Sequence, residues 1–205
     1  MHLAAPSICD LGRVSYEEGL AAQHDCWEKR RARETGDTLL LCEHPPVYTL
    51  GSNATEKDVL ERRAPVVQTD RGGQVTFHGP GQVVGYVICD IIARGKDLHG
   101  FCRDLEEIML RALGDFGLEG RRIDGLTGVW LGDAKVGALG VRVRKWVTLH
   151  GFALNVDCDL SYFDGIVPCG IADKSVTSMA RALGRAMDPE PVKESCARHF
   201  EAIFG

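Results

Sequence analysis

The segment Gly165-Ile166-Val167-Pro168-Cys169-Gly170-Ile171 offers the first candidate nucleophile. Structural cysteines are usually small buried hydrophobes inside periodic elements. Cys169 instead stands between two turn formers, ahead of a helix expected to begin near Ser175. A thiol in that setting is either a structural turn residue or, at a helix approach or beside a cation, a reactive thiolate at neutral pH. The second candidate is Lys135, in Ala134-Lys135-Val136-Gly137-Ala138-Leu139-Gly140-Val141. Read as a strand of period two, this segment puts Lys135 on one face with Gly137, Leu139 and Val141. There the amine either snorkels to water past Asp133 or is a partly desolvated base or cation beside a groove. Gly137, Ala138 and Gly140 leave room for an alkyl chain facing the loop at Gly72-Gly73. The third candidate is the run Arg71-Gly72-Gly73-Gln74-Val75-Thr76-Phe77-His78-Gly79-Pro80-Gly81-Gln82. Its glycines open backbone N–H groups to a ligand, or simply turn the chain between two strands. It lacks the order G-x-x-x-x-G-K-[ST] and any lysine, so it is not a phosphate loop, and Pro80 keeps it from opening a helix as a dinucleotide fingerprint would. His78 either orients a ligand or is an ordinary loop histidine.

These segments need elements to hold them. Ser15-Tyr16-Glu17-Glu18 has the form of a capping box and predicts a helix running to about Glu34. Strands are expected at Thr38 to Cys42, Val47 to Leu50, Val66 to Thr69 and Val83 to Cys89. Leu98, Phe101, Leu105, Ile108, Met109, Ala112 and Phe116 recur at helical spacing, and Gly117 is a natural stop. Val129 to Leu131 turns at Gly132-Asp133 into Ala134 to Val143, and Trp146 to Val156 returns. Helices are expected from Val176 to Leu183 and from Pro191 to Phe204. Strands and helices mix without a βαβ rhythm, which predicts a single α+β domain over residues 1–205 with a mixed, largely antiparallel sheet.

Composition narrows the function classes. With 24 Lys and Arg against 29 Asp and Glu, the net charge is −5, which argues against general nucleic-acid binding. No apolar run approaches the ~20 residues of a membrane span, and the first residues do not read as a signal peptide, so a cytoplasmic protein is expected. Eight cysteines, at positions 9, 26, 42, 89, 102, 158, 169 and 196, include no C-x-x-C pair. Neither a zinc site nor a disulfide framework is expected.

Four segments together resemble the lipoyl(octanoyl) transferases: LLLCEHPPVYTLG at 39–51, RGGQVTFHGPGQ at 71–82, KVGALGVRVRKWVTLHGFALNV at 135–156 and GIVPCGI at 165–171. The resemblance runs from about Leu39 to Leu183, in the family's order and spacing. It implies the fold shared with biotin and lipoate protein ligases. It also implies transfer of an octanoyl or lipoyl group from octanoyl-acyl carrier protein to a lysine of a lipoyl carrier. Such carriers are the lipoyl domains of 2-oxoacid dehydrogenase complexes and the glycine cleavage H protein. By the same resemblance Cys169 forms the acyl thioester and Lys135 assists it. The acyl-binding backbone maps to Arg71, Gly72, Gly73, Gln74, Val75, Thr76, Phe77 and His78, to Ala138, Leu139 and Gly140, and to Gly151, Phe152 and Ala153. No cofactor, metal, nucleic acid or membrane is implied. Three other readings compete. An ATP-dependent lipoate or biotin ligase needs no nucleophilic cysteine. A carrier module would itself be lipoylated, at Lys174 in Asp173-Lys174-Ser175. A papain-like hydrolase would use Cys169, His150 and Asn155.

Overall fold

Ser15 caps the first helix as its sequence demands. Its side chain accepts from the Glu18 amide while the Glu18 carboxylate accepts from the Ser15 amide, closing a capping box. The helix, α1, covers Tyr16–Arg31. The computed structural model describes residues 5–167 and 175–205. Within them the strands are β1 (Ser7–Arg13), β2 (Thr38–Glu43), β3 (Val47–Leu50), β4 (Val66–Gln68), β5 (Val75–His78), β6 (Gln82–Ile88), β7 (Arg121–Ile123), β8 (Leu126–Leu131), β9 (Ala134–Arg144) and β10 (Val147–Asn155). The other helices are α2 (Leu98–Asp115), α3 (Met179–Leu183) and α4 (Pro189–Phe204).

Seven strands form one sheet in the order β1-β2-β6-β10-β9-β8-β7, and three form a smaller sheet, β4-β3-β5. Only β1 with β2 and β3 with β4 run parallel, so the mixed, largely antiparallel α+β fold is as expected. Helices α2 and α4 cover one face of the large sheet, where Leu105, Ile108 and Met109 meet Val83, Val129, Phe152, Leu154 and Phe200 in the main core. On the opposite face α1 lays Cys26 and Trp27 against Ile88, Val147 and Leu149. The small sheet builds its own core from Tyr48, Leu50, Val75 and Phe77, capped by Tyr162 and Phe163. The rings of Phe77 and Tyr162 stack there at 4.4 Å.

Four local expectations are corrected. Arg71 to Gln82 is not loop throughout, because Val75–His78 pairs with β3 as an antiparallel strand. Strands β1 and β7, unmarked by any apolar alternation, are edge strands carried by their partners. Helix α3 begins at Met179 rather than Val176. Backbone hydrogen bonds from the Lys135 amide to the Ser175 carbonyl (2.8 Å) and from the Thr177 amide to the Lys135 carbonyl (2.9 Å) hold the preceding residues extended along β9, and Ser178 caps the helix. Helix α4 begins at Pro189, because Asp188 is its N-cap and Pro189 fits the first turn.

Candidate active site

The α1 face of the large sheet is open where its residues are small. Ala138, Ala153 and Val84 form one row across β9, β10 and β6, and Gly140, Gly151 and Tyr86 form the next. Each row is two inter-strand spacings wide, about 10 Å. Opposite them stand Arg71, Gly73, Gln74, Thr76 and His78, with Tyr16 of α1, leaving about 530 Å³ of empty space that includes the mouth. Leu139, His150 and Phe152 complete the lining. Alternation along β5 explains which residues of the glycine-rich run reach the groove. Thr76 and His78 line it, whereas Val75 and Phe77 turn into the small core. Gly72 is not in the lining: its amide donates to the Val141 carbonyl at 3.0 Å, clamping the loop onto β9.

Arg71 organises the roof. Its buried guanidinium donates to the Thr49 carbonyl (2.7 Å), the Thr49 hydroxyl (2.9 Å), the Gln74 carbonyl (2.7 Å) and the Gly72 carbonyl (3.1 Å). A fork of fixed donors thus shapes a glycine loop that has no periodic structure of its own. A buried amide relay ties this roof to the far side. His78 Nδ1 donates to Gln82 Oε1 (2.7 Å), Gln82 Nε2 to Asn155 Oδ1 (2.8 Å), and Asn155 Nδ2 to the Thr177 carbonyl (3.0 Å). Asn155 is committed to this relay and does not orient His150, so a papain-like pairing of the two is not built. His150 instead donates from Nε2 to Asp70 Oδ1 at 2.8 Å, and its backbone, held at φ 62°, donates to Gln23 Oε1.

The face expected for Lys135 is wrong, and the cause is a bulge. Val129 pairs with Gly137 but Trp130 pairs with Lys135, so one extra residue lies in β9 and reverses the alternation. Adjacent Val129 and Trp130 point to opposite faces, which puts Lys135 on the face opposite Gly137, that of Ala138 and Gly140. Gly137 turns to the main core, where an added Cβ would lie 2.6 Å from Met109 Sδ. It therefore lines no groove, and the small residues that do are Ala138, Gly140, Gly151 and Ala153. Lys135 Nζ lies 4.8 Å from the centre of the Trp130 ring.

Cys169, like Asp173-Lys174, lies outside the described residues. Its flanks are placed on both sides. The Val167 amide donates to the Asp58 carbonyl at 2.8 Å, and Ser175 and Thr177 bracket Lys135 as described. The other seven cysteines are free. Burial pushes the thiols of Cys42, Cys158 and Cys196 up to about 12 and that of Cys102 up to about 11. It raises Cys26 and Cys89 as well. Those six are poor thiolates at neutral pH, and Cys9 is exposed on edge strand β1, away from the groove lining.

The groove histidines are held neutral. Burial first, then the charges of His44 and Arg71, brings His78 down to about 3 from the usual 6.5. Burial also lowers His44 and His150. With Nδ1–H donating to the Val14 carbonyl, His44 Nε2 accepts from the Tyr86 hydroxyl at 2.6 Å. Because each folded-state value lies below the unfolded one, the unfolded chain takes up protons that the native protein refuses, and stability falls as pH drops below 6.5. His78 alone contributes a slope of up to about 1.4 kcal/mol per pH unit. Denaturant titrations between about pH 6 and pH 4 are expected to show a flatter decline for His78→Gln than for the parent protein. Equal slopes would mean that His78 is not held neutral in the native state.

Among the described residues no group of three or more His, Cys, Asp or Glu is placed to hold a metal, and no helix is long and apolar enough to cross a membrane. The chain matches the lipoyl protein ligase A/B catalytic domain over residues 15–201. It is 49% identical to the octanoyltransferase of Rhodospirillum rubrum over 198 residues, which cover 94% of this chain and 91% of that one. It is 43% identical to the octanoyltransferase of Caldicellulosiruptor bescii, over 97% of this chain and 91% of that one. Among solved structures, a putative lipoate protein ligase from T. acidophilum with bound lipoic acid is similar at a TM-score of 0.77 and 15% identity, covering 97% of this chain and 85% of that one. Biotin protein ligase from Aquifex aeolicus, in complex with biotin and ATP, is similar at a TM-score of 0.57 and 12% identity, covering 97% and 70%. At such identity the two ligases speak for the fold alone. The octanoyltransferases share more than four residues in ten along nearly the whole sequence, and this chain belongs to that family within the lipoyl protein ligase A/B group.

Proposed function

We propose that the protein transfers an octanoyl group from octanoyl-acyl carrier protein to a lysine of a lipoyl carrier, through a thioester on Cys169. The acceptors are lipoyl domains of 2-oxoacid dehydrogenase complexes and the glycine cleavage H protein, and the reaction belongs to the cytoplasm. One geometric observation carries the reading: the backbone of Lys135 is hydrogen-bonded to the stretch that follows Cys169 in sequence, beside a groove floored by small residues. In the first half-reaction the Cys169 thiolate attacks the donor's thioester carbonyl, and the carrier leaves as a thiolate that takes up the proton of the Lys135 ammonium, leaving Lys135 a neutral amine. In the second, the acceptor amine attacks the Cys169 thioester. An amide forms, the Cys169 thiolate is released, and Lys135 accepts the proton that the amine gives up. The acceptor amine, with a pKa of about 10.4, is almost wholly protonated at neutral pH and needs such a partner. Exchange between thioesters is nearly isoenergetic and amide formation is downhill, so no nucleotide is consumed. Transfer to a lipoyl domain in the complete absence of ATP tests the proposal. An absolute requirement for ATP would favour the ligase reading instead.

The same reading predicts which residue sets acyl length. Ala153 sits mid-row between Ala138 and Val84. Ala153→Leu is expected to shorten the groove and move preference from eight carbons towards six. Each methylene that can no longer be buried costs about 0.8 kcal/mol, or roughly fourfold in kcat/KM. Competition between hexanoyl and octanoyl donors measures the shift. An unchanged ratio would place the acyl chain elsewhere.

A further inference from the structure

We infer that Trp130 is a positioning residue for Lys135: the indole face and the bare backbone of Gly128 form a seat that fixes the amine on the groove side of the sheet. The inference deepens the proposed function and rests on the role given there to Lys135. Two features of the structure converge on it, and a third secures the second. The β9 bulge pairs Lys135 with Trp130, and the amine lies 4.8 Å from the ring centre. Gly128 has φ +115°, and a Cβ there would sit 2.6 Å from the Gly137 carbonyl oxygen and 3.3 Å from Lys135 Cε, so the lysine stem lies against a surface only glycine provides. That glycine is itself held, because its amide donates at 2.9 Å to Glu106 Oε1, a buried carboxylate that also receives Arg103 and Arg122.

Trp130 is unusual in a further respect. It is fully buried, and its indole Nε1 has no hydrogen-bond partner among the described residues. A buried N–H without a partner costs stability, which offsets part of the packing that the larger indole gains over phenylalanine. What indole adds is the strongest cation-binding face among side chains. A flexible four-carbon stem otherwise samples many rotamers, and proton transfer requires the amine within hydrogen-bond reach of the reacting group.

The test measures single-turnover deacylation, in which octanoyl passes from the enzyme to a lipoyl domain. Trp130→Leu is expected to slow this step about tenfold, and Trp130→Phe, which keeps a ring face and removes the unpaired N–H, about two- to threefold. In a Lys135→Ala background the same substitutions should cost nothing more, because Trp130 then has nothing left to position. Equal losses in both backgrounds would overturn the inference and make Trp130 a packing residue. If Lys135→Ala itself keeps the full rate, the role of Lys135 falls, and that of Trp130 falls with it. A loss in Lys135→Ala to which Trp130→Leu adds in full defeats only the seat. Should Trp130→Leu fail to fold, the phenylalanine variant supports the same double-mutant cycle. The ε-methylene of Lys135 supplies a readout independent of turnover. Its ring-current-shifted proton resonance should relax towards the ordinary lysine position in Trp130→Leu and stay shifted in Trp130→Phe. No change in either variant would also overturn the inference.

Discussion

Brief incubation with octanoyl-acyl carrier protein is expected to add one octanoyl group to the enzyme, labile to hydroxylamine and mapping to Cys169. Cys169→Ser should abolish turnover, because a serine hydroxyl is not ionised at neutral pH and a thiol is far more readily made a thiolate. Burial has already raised six of the other thiols, so the adduct has few alternative homes. Intact-mass and peptide mapping decide the matter. An adduct on another cysteine, or full turnover in Cys169→Ala, would remove the thioester from the mechanism.

The second large effect separates two jobs for Lys135. If its charge serves only to hold the thiolate, its worth is bounded by the thiolate fraction. Lowering a thiol pKa from about 8.5 to about 7 raises that fraction at pH 7 from about 3% to about 50%, roughly fifteenfold. Lys135→Arg would then keep much of the activity, and Lys135→Ala would recover as pH rises towards about 9. If Lys135 also carries the acceptor's proton, arginine must fail, since guanidinium does not give up its charge in proteins. General acid–base catalysis adds about 10²–10⁴-fold, so the alanine loss should exceed fifteenfold and persist at high pH. The second outcome is expected, because the acceptor amine must give up a proton and the backbone of Lys135 is tied to the stretch that follows Cys169. Acylation and deacylation rates of both variants across pH distinguish the cases. Near-normal deacylation in Lys135→Arg would leave Lys135 an electrostatic role only.

The chemistry of this protein was more legible in its sequence than its geometry. The capping box at Ser15, the periodicity of α2 and the turn at Gly132-Asp133 are local signals, and local signals survive translation into structure because each is satisfied by neighbours a few residues away. The family motifs are local too, so Cys169, Lys135 and the Arg71–His78 run could be singled out before any fold was known. Groove residues outside those motifs could not. Tyr16 stands out only as part of the capping box and Tyr86 only within a strand, and neither is singled out as a site residue. The buried face of α1 is built from Tyr16, Gly19, Gln23, Trp27 and Arg30, too polar to declare what it packs against. Gly19 is there because a Cβ would lie 2.9 Å from His44 Cε1, a contact between residues 25 positions apart.

Which way each strand residue faces was decided only in three dimensions. Period two assigned Lys135 to the face of Gly137, and one extra residue in β9 moved it to the other face. A bulge is set by how a strand registers with its partner, here β8, and one residue of slip exchanges core for groove. For the same reason Gly137 faces Met109 instead of the acyl groove, and Val75 and Phe77 fill the small core while Thr76 and His78 line the site. Residue type and short spacing determined which groups this protein has for chemistry. Register, a property of pairs of strands distant in sequence, determined which of those groups meet.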